Sequence, residues 1–170
     1  INGTPDTDLY DVATSPFDFT GFTNTIFTIA PFTNKAKFTV ISIEDTIYEL
    51  VEFFTLNAVI TSNNTLNAEL NALGSILDND AAPSITMNNS REDEGIDLTH
   101  TITLSNPSST PILIDVKTND NLATSPDDYM SILENLTIEG TIDPINANTD
   151  VSFTINSFLD NLNELEEETL

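Results

Sequence analysis

The chain has 170 residues, room for one or two small domains. Its 28 acidic residues stand against 4 basic ones, Lys35, Lys37, Arg91 and Lys117, for a formal charge of −24. That balance leaves no basic stripe to neutralise phosphates, so nucleic acid is excluded as a partner and anionic membranes are disfavoured. Cysteine is absent, which rules out disulfides and thiolate metal sites. The first residue is Ile rather than Met, so processing or trimming is expected to have removed the true start.

Period-2 alternation of apolar and polar residues dominates, filled by Thr, Ile, Val and Phe. In chain order it predicts strands at 26–30 (IFTIA), 37–43 (KFTVISI) and 53–60 (FFTLNAVI). The stretch 65–75 is Ala/Leu-rich but short, and splits between a turn and a strand. Further strands are predicted at 98–105 (LTHTITLS), 111–118 (PILIDVKT), 136–140 (LTIEG) and 151–158 (VSFTINSF). Turn residues separate them, as in Thr33-Asn34, Ser62-Asn63-Asn64 and Asn106-Pro107-Ser108. Short strands at this spacing predict an all-β protein built as a sandwich. No apolar run approaches the ~20 residues of a transmembrane helix.

A short acidic motif occurs twice. Asp45, Glu49 and Glu52 form D-x-x-x-E-x-x-E after one strand-like run; Asp160, Glu164 and Glu167 repeat it after another. Acidic residues clustered in this way repel unless a cation sits among them: two carboxylates ~4 Å apart cost about 4 kcal/mol at an effective dielectric near 20. Ca²⁺ takes six to eight hard oxygen ligands in flexible geometry, which such a loop can supply. A solvated acidic loop with splayed charges is the competing reading. The surrounding sequence also repeats: Phe38-Thr39-Val40 matches Phe153-Thr154-Ile155, and the segment from Asn2 to Tyr10 resembles that from Asp120 to Tyr129. Residues 74–85 (GSILDNDAAPSI) form the natural junction, giving units 1–80 and 81–170.

Three motifs are similar to those of the Calx-β domain family. They are TNDNLATSPDDY (118–129), ISIEDTIYELVEFF (41–54) and GSILDND (74–80), with EDEGIDLTHTITLSNPSSTPILIDVKT (92–118) fitting the family's entry strands. The resemblance implies tandem immunoglobulin-like antiparallel β-sandwiches, the first lacking its opening strands and the second its closing ones. It implies Ca²⁺ ligands at Glu44, Asp45, Glu49, Glu52, Asp78 and Asp80 in the first unit. In the second it implies Glu92, Asp120, Asp160, Glu164 and Glu167. The chain departs from the family pattern at four places: Asn121-Leu122 replaces Gly-Thr, Asn2 stands where an Asp is usual, Leu159 stands where the first copy has Glu44, and Asn79 interrupts the closing acidic triplet. The second site is therefore expected to be weaker or empty.

Catalysis is not expected. His100 is the single histidine and lies in an alternating run, as an outward or satisfied strand residue would. The pair Asp127-Asp128 has no cleft around it in the pattern, and no nucleophile, P-loop or zinc motif occurs. The leading expectation is a non-catalytic, Ca²⁺-stiffened repeat of a bacterial adhesin or stalk, extracellular or on the cell surface. Its partners would be neighbouring repeats, further copies of the chain, or a surface ligand. A self-assembling extracellular filament completed by strand exchange, and a Ca²⁺-sensing regulatory domain, are the alternatives.

Overall fold

The computed structural model describes residues 10–21 and 25–160 of the protein. Those residues are all-β and contain no helix. The chain divides into two compact units, Ile1–Asp80 and Ala81–Leu170.

The second unit is built on five strands: β6 (Ile85–Met87), β7 (Leu98–Leu104), β8 (Ile112–Lys117), β9 (Leu133–Ile138) and β10 (Asp150–Ile155). One sheet has the order β10-β7-β6 and another pairs β8 with β9, all antiparallel. Alternation explains the core. Leu98, Ile102 and Leu104 are the buried residues of β7, and Phe153 and Ile155 those of β10. Ile102, Phe153 and Ile155 pack with Ala123 and Tyr129, and Ile114, Val116 and Leu136 close around them. His100 lies directly across from Phe153, its ring stacked 5.4 Å away and Nδ1 3.1 Å from the Asn88 carbonyl. It is a satisfied strand residue.

The first unit contains β1 (Tyr10–Val12), β2 (Phe19–Thr20), β3 (Ile41–Ser42), β4 (Val51–Val59) and β5 (Glu69–Ile76). Here β4 is central, parallel to β1 and antiparallel to β5, while β2 pairs with β3. The turn-then-strand reading of 65–75 matches β5. Phe54 lies across from Gly74, and a Cβ at Gly74 would sit 2.3 Å from the Phe54 ring, so glycine is what lets the ring lie over β5. That ring also stacks on Phe19 at 4.8 Å, joining the two small sheets. Among the described residues of this unit, the fully buried apolar ones are only Ala13 and Ile47.

The two units repeat one local design. In both, the residue after Ala-Thr-Ser-Pro-x is an aspartate that accepts the threonine amide: Thr14 to Asp18, and Thr124 to Asp128. The serine oxygen accepts an amide six residues on, Gly21 and Ser131 respectively. Ile43 N donates to the Asp18 carbonyl as Phe158 N does to that of Asp128, each at 2.9 Å. The structure therefore aligns 13–21 with 123–131, and 35–45 with 150–160 without a gap. This corrects the expected match of Asn2–Tyr10 with Asp120–Tyr129: the counterpart of Tyr129 is Phe19, as the pairings Phe19 with Ser42 and Tyr129 with Ser157 show.

Two predicted strands do not form as expected. Residues 26–30 form no strand, and of 37–43 only Ile41–Ser42 does. Their counterparts in the second unit contribute to β9 and β10, which pair with β8 and β7 over six positions each. The reason is partner supply. Alternation makes a segment fit to be a strand, but hydrogen bonding needs a neighbour, and the first unit has no counterpart of β7 and β8 among its described residues. Phe153 is 9% exposed where its counterpart Phe38 is 39% exposed. Phe153→Ala should therefore cost about 3–5 kcal/mol, and Phe38→Ala less than about 1 kcal/mol. Denaturant unfolding followed through amide signals of each unit measures both; equal losses would contradict this account.

Candidate metal centre

The first unit draws three carboxylates together from separate pieces of chain. Glu52 is the second residue of β4, on the same face as Phe54 and Leu56, so the strand's period of two turns it inward. It is 2% exposed. Asp18 ends the turn that leads into β2 and is 3% exposed. Its side chain accepts the Thr14 amide, which fixes the turn. Glu49 lies three residues before Glu52 in the segment that enters β4, anchored by the fully buried Ile47. One ligand oxygen from each of Asp18, Glu49 and Glu52 lies within 4.8 Å of the others. A single cation with oxygens ~2.4 Å away spans that spacing.

Each of the three side chains also holds an oxygen that is buried without a hydrogen-bond partner: Asp18 Oδ1, Glu49 Oε1 and Glu52 Oε2. An unsatisfied buried polar group costs about 1–3 kcal/mol, and more when charged. The three side chains whose ligand oxygens converge thus also hold buried oxygens whose polar demand no described residue meets. The electrostatics agree. Burial, then the neighbouring Glu52, Asp18, Asp45 and Asp78, push the Glu49 carboxyl up to about 8. Burial, then Asp18, Asp11, Asp45 and Asp78, push Glu52 up to about 7. Asp18 is raised chiefly by burial, against the lowering pull of the Thr14 amide. All the charges acting on these three groups are carboxylates. The site can hold a metal ion.

Around this trio the loop is braced by other acidic residues. Asp45 accepts the Ile47 amide at 2.7 Å. Asp78 accepts the Glu49 amide at 2.9 Å through one oxygen and the Asp80 amide at 2.9 Å through the other. These bonds tie the segment after β5 to the loop before β4, which sets where Glu49 stands. Asp80 is raised by the cost of removing it from water, then by Asp78, Asp45 and Glu44. Glu44 is exposed and accepts Asn79 Nδ2 at 2.8 Å.

Of the residues expected as ligands in the first unit, the structure thus joins Glu49 and Glu52 directly. It places Asp45 and Asp78 close enough to act on both, and leaves Glu44 at the periphery beside Asp80. Asp18 was missed, as was Asp11, which stands across from Glu52 in the β1–β4 register. A signal for Asp18 existed: ATSPFDF and ATSPDDY duplicate the turn that presents it.

The second unit is different. Asp120 accepts Tyr129 Oη at 2.7 Å and the Ser125 amide at 3.0 Å, which hold its carboxyl below the usual range. That is a structural role beneath the turn. Glu92 is exposed, and the Asp160 amide donates to Glu94 at 2.8 Å. Glu164 and Glu167 lie outside the described residues. Among the described residues, Asp18, Glu49 and Glu52 are the one group of three with converging ligand atoms.

Searches against known protein families, curated proteins and solved structures found no match for the chain. The site therefore rests on its own geometry.

Removing one ligand charge should weaken binding. Asp18→Asn and Glu52→Gln should each lower Ca²⁺ affinity about tenfold or more, while Asp120→Asn leaves binding by the first unit unchanged; calorimetric titration of each variant measures this. Without cation, pH should act in the sense opposite to ordinary acid denaturation. Glu49 and Glu52 have folded-state values raised from 4.5 to about 8 and about 7, so their contribution to stability is full below pH 4.5 and lost as pH rises through 7 to 8. In EDTA the first unit should thus be less stable at pH 8 than at pH 5.5. Glu49→Gln with Glu52→Gln should flatten that slope in thermal melts.

Proposed function

We propose that this chain is a non-catalytic, Ca²⁺-binding structural repeat of an extracellular adhesin or stalk. The observation that carries the reading is the convergence of ligand oxygens from Asp18, Glu49 and Glu52, side chains that each also hold a buried oxygen without a partner among the described residues. Ca²⁺ suits this donor set better than Mg²⁺. It accepts many carboxylates in irregular geometry, whereas Mg²⁺ demands a near-octahedral shell and keeps several waters. Asp45 and Asp78, already adjacent, would complete the shell.

The similarity of residues 41–54, 74–80 and 118–129 to Calx-β motifs supports the same reading, including tandem sandwich architecture. The acidic composition supports it too: 28 acidic residues keep a long extracellular array soluble while holding divalent cations.

Binding would couple to mechanics. Asp78 closes the loop around Glu49 and stands three residues before Ala81, where the second unit begins. A cation that locks this segment would shorten and stiffen the Asn79-Asp80 connection, which a free linker leaves slack. Small-angle scattering and thermal melting with Ca²⁺ and with EDTA test this. The expected result is a higher melting temperature and an altered maximum dimension in Ca²⁺. Identical curves under both conditions would remove the proposal.

A further inference from the structure

Beside the three converging carboxylates stands a fourth, Asp11, and the register of β1 on β4 places it. Tyr10, Asp11 and Val12 lie across from Val51, Glu52 and Phe53. Residues paired on neighbouring strands send their side chains to the same face, and the face alternates along each strand. Glu52 faces inward. Ala13, two places beyond Asp11, is buried too, its amide on the Phe53 carbonyl at 3.0 Å. Asp11 therefore shares the inner face with Glu52. The turn that follows directly, held by the Thr14 amide on Asp18, carries Asp18 to the same place. One short piece of chain, 11–18, thus delivers two carboxylates to the cluster.

The cluster feels the charge of Asp11. Burial is the first cause that raises Glu52; Asp18 and then Asp11 follow, ahead of Asp45 and Asp78. Asp18 is raised by burial, against the Thr14 amide, and then by Asp45 and Asp11. Yet Asp11 is not one of the three side chains whose ligand atoms converge, and its Oδ1 accepts the Val12 amide at 2.8 Å. The second unit holds neutral Asn121 in the same place, two residues ahead of the shared Ala-Thr-Ser-Pro, so the turn itself does not depend on a charge there.

We propose that Asp11 is a specificity-determining residue of the cation site, a carboxylate outside the ligand ring that sets how strongly the site prefers ions of higher charge. The proposal rests on Asp18, Glu49 and Glu52 holding a cation. A further carboxylate beside them adds repulsion while the site holds no ion, and adds attraction in proportion to the ion's charge once one is bound. Ions of similar size that take the same oxygen ligands are then separated by charge alone. Ca²⁺ and La³⁺ are such a pair.

Calorimetric titration of the full chain with Ca²⁺ and, separately, with La³⁺ tests it. Asp11→Asn keeps an oxygen to accept the Val12 amide and removes the charge. It should weaken Ca²⁺ about tenfold and La³⁺ about thirtyfold, because one lost charge counts in the logarithm as the charge of the ion. Asp11→Glu, which keeps the charge, should stay within about threefold of the unaltered chain for both ions. Glu69→Gln removes a charge across from Val59, at the far end of the β4–β5 pair, and should change neither affinity. In EDTA the Asp11→Asn chain should melt no lower than the unaltered one, since a repulsion has been removed. The proposal is overturned if Asp11→Asn binds both ions as tightly as the unaltered chain, if both weaken by the same factor, or if Glu69→Gln reproduces its effect. An unaltered chain that binds neither ion overturns the cation site itself, and this proposal with it.

Discussion

Two carboxylates, those of Asp18 and Glu52, are almost wholly removed from water with no positive group against them. That burial constrains the rest of the first unit. A strand would ordinarily turn such a residue outward, but β4 places Phe54 and Leu56 on the inner face, and its period of two carries Glu52 in with them. Asp18 is held by the turn that leads into β2, and Glu49 by the Asp78 carboxylate that accepts its amide. Each piece is fixed by local bonding unrelated to a cation. Their sum is a cluster of buried carboxylates that favours either protons or a metal.

The contrast between the units shows how little of a strand is intrinsic. Residues 35–45 and 150–160 align without a gap, and Phe38-Thr39-Val40 is nearly the same sequence as Phe153-Thr154-Ile155. One copy is the edge of a three-stranded sheet and buries its phenylalanine; the other is extended and half-open. Partner strands decide which. The apolar core follows suit, with a connected cluster in the second unit and little more than Ala13 and Ile47 fully buried in the first.

The all-β class was legible in the alternation, and so were the strands at 53–60, 98–105, 111–118 and 151–158, because each finds a neighbour within the same unit. Residues 26–30 read as well as these and form no strand, and of 37–43 only Ile41–Ser42 does, since periodicity reports a segment's faces and is blind to who sits beside it. The acidic site was half legible. Spacing brought out Glu49 and Glu52, three apart at the entry to β4. It could not bring out Asp18, more than thirty positions earlier in the chain, because convergence there depends on the β2–β3 pairing and the Phe19–Phe54 stack rather than on any local pattern. Asp120 stands apart from the trio: a tyrosine hydroxyl and a serine amide take up one of its oxygens, a contact that sequence spacing alone does not reveal.

On the proposed reading, Asp18, Glu49 and Glu52 form a cation site in which Glu49 and Glu52 hold protons until the cation arrives. Calorimetric Ca²⁺ titration at pH 7 in two buffers of different ionisation enthalpy measures it most directly. With Glu49 raised to about 8 and Glu52 to about 7, binding must expel protons, so the observed heat should differ between the buffers and the difference should vanish in the Glu49→Gln, Glu52→Gln protein. Absence of binding heat, or binding with identical heats in both buffers, would contradict the account.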